Sequence, residues 1–194
     1  VDQAADEISR LDQLLSTGNE DSEIYKINQS GDGILSEETA YLVERSLDLY
    51  EATDGAFDIA IYPVMKVWGF TDDNFRVPDA DELKDLLTLT DASDISYDKE
   101  TSQIVFKKDG MQIDFGGIAK GYTSARIMDI FRACGIKSGL VNLGGNVQAL
   151  GTKKDGSSWR VAVQDPQDTD QYLGVLSIQD KAVITSGGYE RYFE

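Results

Sequence analysis

The sequence has no histidine and a single cysteine, Cys134, among 194 residues. Without histidine this stretch holds no Ser-His-Asp or Cys-His nucleophile system, and the commonest zinc ligand is missing. A lone cysteine excludes an intramolecular disulfide. Cys134 lies in Ile130-Phe131-Arg132-Ala133-Cys134-Gly135, the apolar end of an expected helix, which predicts a buried, inert thiol. Any metal must then take oxygen ligands, which suits Mg2+ or Ca2+. Positive charge is also scarce: 18 Lys and Arg face 35 Asp and Glu, a formal net charge of -17. Such a surface repels phosphate backbones and argues against nucleic acid as a partner. An anionic small molecule would need a local offset from a metal ion, a helix N-terminus or a placed Lys or Arg. No hydrophobic run is long enough to span a membrane. Val1-Asp2-Gln3 is not the basic, apolar opening of a signal peptide, although a chain trimmed at its N-terminus would read the same way.

What is present suits a folded domain. The hydrophobic share of 41% is enough for a core, and the length suits one domain, alone or with a small lobe. Ala4, Ile8, Leu11 and Leu15 recur at helical spacing, with Gly18 as a stop. Asp21 or Ser22 caps a short helix over residues 23–28, and Gly31-Asp32-Gly33 reads as a turn. Ser36 caps a longer helix with the stripe Ala40, Val43, Leu47 and Tyr50, ended by Gly55. Tyr41, Tyr50 and Trp159 stand at core-like positions. Residues 57–70 mix β-branched and aromatic side chains around Pro63, which predicts a strand, a turn and a short segment ending in Trp68-Gly69-Phe70. The Asp-rich residues 71–82 form a loop, and Leu83, Leu86 and Leu87 a short helix.

A meander follows. Residues 95–97, 103–106 and 111–115 read as strands, with Asp109-Gly110 as the hairpin turn between the last two. Gly116-Gly117 opens a helix whose core side carries Ile118, Tyr122, Ala125 and Ile130, closed by Gly135. Further strands are expected at 139–143, 146–150, 159–163, 173–178 and 182–185, with another at 189–193. Helices followed by hairpins around one more helix predict an α+β fold with antiparallel sheet.

Four stretches could carry chemistry. In Asp114-Phe115-Gly116-Gly117-Ile118-Ala119-Lys120-Gly121-Tyr122, a strand ends in a carboxylate and two glycines let a ligand approach the backbone. A helix then starts with free N–H groups, and Lys120 lies in its first turns. It is neither a Walker A loop nor a Rossmann fingerprint, and a tight connection with a surface lysine is the alternative. Val141-Asn142-Leu143-Gly144-Gly145-Asn146 is either a strand turn or a close approach to a flat ligand. Trp68-Gly69-Phe70 either walls an aromatic ring or packs internally. Thr185-Ser186-Gly187-Gly188-Tyr189-Glu190-Arg191-Tyr192 either faces a phosphate or ribose or is an ordinary hairpin. The acidic residues Asp72-Asp73 and the run from Asp79 to Asp98 lack EF-hand spacing and read as a solvated face. Asn28-Gln29-Ser30 matches a glycosylation sequon, a weak three-residue pattern.

Taken together and in order, these motifs resemble the ApbE family. The resemblance rests on Ser22-Glu23-Ile24 with Asn28, then Gly55-Ala56-Phe57-Asp58 leading through Pro63 to Trp68-Gly69-Phe70. It continues in Asp114 to Tyr122, Val141 to Asn146 and Thr185 to Phe193, and so covers essentially the whole chain. It implies a T-fold-like α+β protein, an antiparallel sheet with packed helices, that binds FAD and needs Mg2+. The implied activity is FAD:protein FMN transfer: cleavage of the FAD pyrophosphate, transfer of FMN to a Thr or Ser hydroxyl of a partner protein, and release of AMP. Hydrolysis of FAD to FMN and AMP, or flavin binding without catalysis, are the alternatives.

Carried over by motif, Trp68, Gly69, Phe70, Asp114 and Lys120 would contact FAD, and the backbone carbonyl of Gly117 would be a magnesium ligand. Gly144, Gly145, Asn146, Thr185 and Ser186 are further candidates for the pocket lining. No catalytic residue is implied within this stretch. The implied partner is a flavin acceptor, the FMN-binding subunit of a membrane redox complex. The implied location is outside the bacterial cytoplasmic membrane, with a lipid anchor. The family pattern also runs on past Phe193 into a His-containing Ile-Asp-Pro segment and an acidic Thr/Ser segment that supplies further metal ligands. It begins with a lipoprotein signal and a first strand. The resemblance therefore implies that residues 1–194 are one domain, incomplete at both ends.

Overall fold

The computed structural model describes residues 1–72, 74–168 and 170–187. The chain forms two compact units, Val1–Ile8 with Lys120–Glu194 and Ser9–Ala119. Helix α1, Asp2–Leu15, has residues in both. Ala4, Leu11 and Leu15 of its expected stripe are buried, whereas Ile8 is exposed.

In the unit Ser9–Ala119, α2 (Glu23–Ser30) begins at Ser22, whose Oγ accepts the Tyr25 N–H at 2.9 Å. It ends at Gly31, whose left-handed φ of 78° lets its N–H reach the Ile27 carbonyl. The expected turn at 31–33 contains a short strand, β1 (Asp32–Ile34). Helix α3 (Glu37–Ala52) buries Thr39, Ala40, Leu42, Val43 and Ser46. Leu47 and Tyr50 are only half-buried and Tyr41 is exposed, so the buried stripe is rotated from the expected one.

Residues 57–70 hold no strand. A 3-10 turn at Ile59–Ile61 runs into helix α4 (Tyr62–Val67). Asp58 caps the turn by accepting the Ala60 N–H at 2.7 Å, and Pro63 sits in the first turn of α4. A missing N–H costs nothing there, so the proline starts a helix instead of breaking a strand as its sequence context predicts. Helix α5 (Ala80–Leu87) and a 3-10 turn at Ala92–Asp94 precede β2 (Ile95–Asp98) and β3 (Gln103–Phe106). The three strands form an antiparallel sheet of order β1-β3-β2.

The expected strand at 111–115 is extended without joining a ladder. The turn at Asp109-Gly110 forms, with Gly110 at φ 86°, but the chain leaving it finds other partners. Met111, Ile113 and Phe115 are buried, and Gln112 and Asp114 are half-exposed. This alternation is what made the segment read as a strand. Burying three such side chains contributes about 1.5–3 kcal/mol each and keeps Asp114 on the open side.

In the other unit, α6 (Ala119–Ala133) buries Thr123, Ser124, Ile127 and Met128. Ala125 is exposed and Tyr122 and Ile130 are half-buried, so the expected core side is displaced. Strands β4 (Gly139–Leu143), β5 (Asn146–Leu150) and β8 (Ala182–Ile184) form an antiparallel sheet of order β4-β5-β8. Strands β6 (Trp159–Gln164) and β7 (Tyr172–Ile178) form a two-stranded ribbon. The β5 strand is covered on both faces. Leu150 joins Ala4, Ile127, Met128 and Val141, while Val147 and Ala149 join Val161 and Ile178. Cys134 lies beyond α6 and is exposed, not buried, with its Sγ 3.1 Å from Gln3 Oε1. The expected strand at 189–193 falls outside the described residues.

Candidate functional site

The segment before the glycine pair is pinned at successive residues. Ile113 donates its N–H to Asn28 Oδ1 at 2.7 Å and accepts from Asn28 Nδ2 at 2.9 Å. The Asp114 N–H donates to the Ile59 carbonyl at 2.9 Å. The Gly116 N–H then donates to Asp114 Oδ1 at 2.7 Å. Gly116 and Gly117 are both exposed, and both are crowded where a side chain would stand. A Cβ on Gly116 would lie 2.7 Å from Asp114 Oδ1, and one on Gly117 would lie 2.9 Å from Cε2 of Phe57. A side chain at either position would have to push aside a side-chain end, the Asp114 carboxylate at Gly116 and the Phe57 ring at Gly117.

The helix that follows differs from expectation in one respect. The Ile118 and Ala119 N–H groups both donate to the Phe115 carbonyl, at 2.9 and 2.7 Å. With Gly116 serving Asp114, three N–H groups of the turn are spent internally and are not the open anion cradle that the pattern suggested. Lys120 follows immediately and is exposed. A positive charge therefore stands next to the turn, ready to offset an anion.

Trp68-Gly69-Phe70 forms the stop of α4. Gly69 adopts φ 77°. The Gly69 N–H donates to the Lys66 carbonyl at 3.0 Å and the Phe70 N–H to the Met65 carbonyl at 3.2 Å, the paired bonds of a Schellman ending. The loop after it folds back. The Arg76 N–H donates to the Trp68 carbonyl at 3.3 Å, and the Phe75 ring meets Phe70 edge-on, with centroids 5.7 Å apart. Trp68 and Phe70 are half-buried, so each is partly packed and partly open. This end is tied to the glycine turn through Gln112, two residues before Asp114. Gln112 accepts from Lys66 Nζ at 3.3 Å and donates to the Asn28 carbonyl at 3.2 Å.

Gly144 and Gly145 are the two-residue turn between β4 and β5. Leu143 pairs with Asn146, and both glycines have positive φ, 55° and 83°. This is the primed hairpin turn, which only residues tolerant of φ > 0 adopt comfortably. Asn142 Oδ1 accepts the Gly145 N–H at 3.0 Å. Asn146 is buried and registered against Ile184 of β8. That register brings Thr185 close to Gly145, with Oγ1 3.9 Å from a Cβ built there. Thr185 and Ser186 are exposed. Two of the sequence candidates thus meet in this unit, while Tyr189, Glu190 and Arg191 lie outside the described residues.

The whole chain, residues 1–194, matches the model of the ApbE family. The chain belongs to the ApbE family. It is 33% identical over 191 residues to the FAD:protein FMN transferase of Klebsiella pneumoniae (strain 342), covering 96% of this chain and 58% of that protein. It is 34% identical over 204 residues to the FAD:protein FMN transferase of Treponema pallidum (strain Nichols), covering 96% and 56%. Among solved structures, the ApbE protein of Thermotoga maritima superposes with a TM-score of 0.94 at 32% identity, covering all of this chain and 63% of that one. The flavinyl transferase ApbE of Pseudomonas stutzeri, in its apo form, gives 0.86 at 30% identity, covering 99% and 61%. The chain therefore spans little more than half the length of these curated relatives. The α+β fold with antiparallel sheets is that of the ApbE structures.

Several residues that shape this candidate site carry no sequence signal as site residues. Asn28 was noted only as a motif member and a sequon. In the fold it is buried, with both ends of its amide engaged, and so it is no glycosylation acceptor. Phe57 and Asp58 were likewise only motif letters. Asp58 Oδ2 also accepts the Ala92 N–H at 3.1 Å, tying the 57–60 segment to the turn before β2. Burial, and then the nearby Asp91 charge, push the Asp58 carboxyl above the usual range against the pull of those two N–H bonds. Asp91 is held below it by hydrogen bonds from Ser93 and Tyr50. A polar residue at the sixth position of a short helix gives no sequence signal of which backbone it will meet 85 residues later.

Proposed function

We propose that this chain is the flavin-binding part of a magnesium-dependent FAD:protein FMN transferase. The observation that carries the reading is the Asp114–Lys120 turn. A carboxylate, an exposed glycine pair and a lysine stand within seven residues, and residues 113–119 are pinned by hydrogen bonds. Family membership and the names of the relatives support it.

The residues suit both groups the reaction needs. The turn offers a metal oxygen donors, among them the Asp114 carboxylate and the Gly117 carbonyl, which fits a hard cation and not zinc. Among the described residues no group of three His, Cys, Asp or Glu gathers as a metal site. An ion held here would complete its shell with phosphate, water and, as the family resemblance implies, further acidic and Thr/Ser oxygens. Bound there, it would neutralise charge on the pyrophosphate. Lys120 would add a second positive charge, needed because the protein as a whole is strongly acidic. The half-buried rings of Trp68 and Phe70 would flank the flat part of FAD, with Gly69 holding their spacing.

In the reaction, a Thr or Ser hydroxyl of the acceptor forms a bond to the FMN phosphorus. The pyrophosphate P–O bond breaks, AMP leaves with the bridging oxygen, and the hydroxyl proton passes to solvent or a base. The acceptor is taken to be the FMN-binding subunit of a membrane redox complex, on the outer side of the bacterial cytoplasmic membrane, with the enzyme lipid-anchored there. No helix among the described residues is long and apolar enough to cross a membrane.

The test is FAD fluorescence anisotropy with and without Mg2+, followed by mass analysis of an acceptor peptide. A saturable rise strengthened by Mg2+, with FMN mass gained by the acceptor, supports the proposal. AMP released without an acceptor would point to hydrolysis, and no FAD binding in either condition would overturn the reading of the site.

A further inference from the structure

Asn28 is a buried amide in the middle of a helix, and α2 gives it nothing to bond to. Its side chain instead behaves as a one-residue strand partner for Ile113. It receives that residue's N–H at 2.7 Å and gives its own to the same residue's carbonyl at 2.9 Å. Its backbone carbonyl also accepts from Gln112 Nε2 at 3.2 Å. The helix carrying it is fixed at both ends by the Ser22 cap and the Gly31 ending.

We propose that Asn28 is the positioning residue of the site, its side chain setting the Asp114–Lys120 turn through Ile113. The argument is one of constraint. Residues 111–115 belong to no sheet, so no ladder fixes their register. The register is set by three bonds: the two from Asn28 to Ile113 and the one from the Asp114 N–H to the Ile59 carbonyl. Asp114 Oδ1 in turn holds Gly116 at 2.7 Å. Releasing Ile113 frees Asp114 to rotate and the glycine pair to leave Phe57. Gln112 keeps its bonds to the Asn28 backbone carbonyl and to Lys66, so the loosening is confined to residues 113 onward. A buried amide that satisfies both groups of one residue is specific, because it satisfies them only at that register. The inference rests on the proposed flavin site for its functional consequence and on geometry alone for the positioning.

The test uses Asn28→Asp in the full chain, with Val43→Ala, a buried residue of α3 outside the turn, as a control for loss of core packing. Two readouts are taken where circular dichroism shows each variant folded: the FAD dissociation constant in Mg2+, and amide hydrogen exchange over residues 113–119. The ionised aspartate keeps the acceptor and loses the donor. Expected are an FAD affinity about tenfold weaker, equivalent to the loss of one hydrogen bond, and faster exchange at 116–119. Both are expected to recover as the pH is lowered and the carboxyl regains a donating proton. Val43→Ala should show neither change. Unchanged exchange at 116–119 in folded Asn28→Asp overturns the positioning role, and equal effects from Val43→Ala overturn it too. No FAD binding by the unaltered chain overturns the proposed function instead, and exchange then decides the positioning by itself. If Asn28→Asp does not fold, Asn28→Ser, whose shorter hydroxyl cannot bridge both groups, serves for the same two readouts.

Discussion

A side chain on Gly69 would run into the backbone carbonyl of Asn74. Gly69 also holds φ 77°, so space and conformation both demand glycine there. Gly144, at φ 55°, meets nothing within reach of an added Cβ. Gly144→Ala should therefore cost only the left-handed penalty, about 1–2 kcal/mol. Gly69→Ala should cost more, about 2–4 kcal/mol, as backbone strain and a forced shift of the 70–76 loop combine. Urea unfolding of the two variants side by side checks the order, and an equal or reversed cost would refute the account of the α4 ending.

Asp58 and Asp91 should titrate in a fixed order. The Asp58 carboxyl is raised, so as the pH falls it takes its proton first, and Asp91, which is lowered, takes its proton last. The signs differ for stability. Asp58 contributes most below the ordinary carboxylate value, and that contribution is lost as pH rises through its raised folded value. Asp91 contributes above the ordinary value and loses its contribution as pH falls through its lowered one. Asp58→Asn should flatten the decline toward neutral pH, and Asp91→Asn should weaken the fold at neutral pH but not in strong acid. Carboxyl NMR titration gives the order directly, and unfolding free energy against pH gives the signs.

Replacing Asp114 or Lys120 should weaken FAD in distinguishable ways. Lys120→Ala removes a point charge, so its deficit should shrink as salt rises. Asp114→Ala removes both an acidic oxygen and the anchor of the Gly116 N–H, so its deficit should persist in salt and should reduce the benefit of Mg2+. About tenfold or more in dissociation constant is expected for each, the scale of a lost charge-assisted hydrogen bond. Anisotropy titrations at two ionic strengths measure it, and a salt-independent Lys120→Ala deficit would remove that residue from phosphate binding.

Cys134 should react in the native state. Its side chain is exposed beyond the end of α6 and shares only a weak bond with Gln3. One equivalent of a maleimide should add to the folded protein without loss of helix signal, as read by mass spectrometry and circular dichroism. Protection until unfolding would show that the thiol is covered.

What could be read from the sequence divides along physical lines. Strands β4, β5 and β6 and the capped helices α2, α3 and α5 were legible because their signals are local: alternation, a cap residue, a glycine at the end. Pro63 was misread because proline is as suited to the first turn of a helix as it is unsuited to a strand, and only Asp58 settles which. Residues 111–115 had a strand's alternation yet no strand partner, because a side chain 85 positions away took that role. The glycine turn was found as a motif. Its crowding against Phe57 and the internal use of its N–H groups are tertiary facts with no local trace. Cys134 was misplaced because an apolar helix end does not say which side of the last turn faces the core.

Arg10, Arg76, Lys99, Lys108 and Arg126 each stand against a carboxylate, Arg10 with Glu38 and Arg126 with Glu7 among them. These cations are already neutralised at short range, so they do little to soften the field that an approaching anion feels. That field acts on arrival and not on grip. At physiological ionic strength it reaches only about 8 Å. A nucleotide's encounter rate should therefore climb with added salt, while its residence time, governed by contacts inside the turn, changes much less.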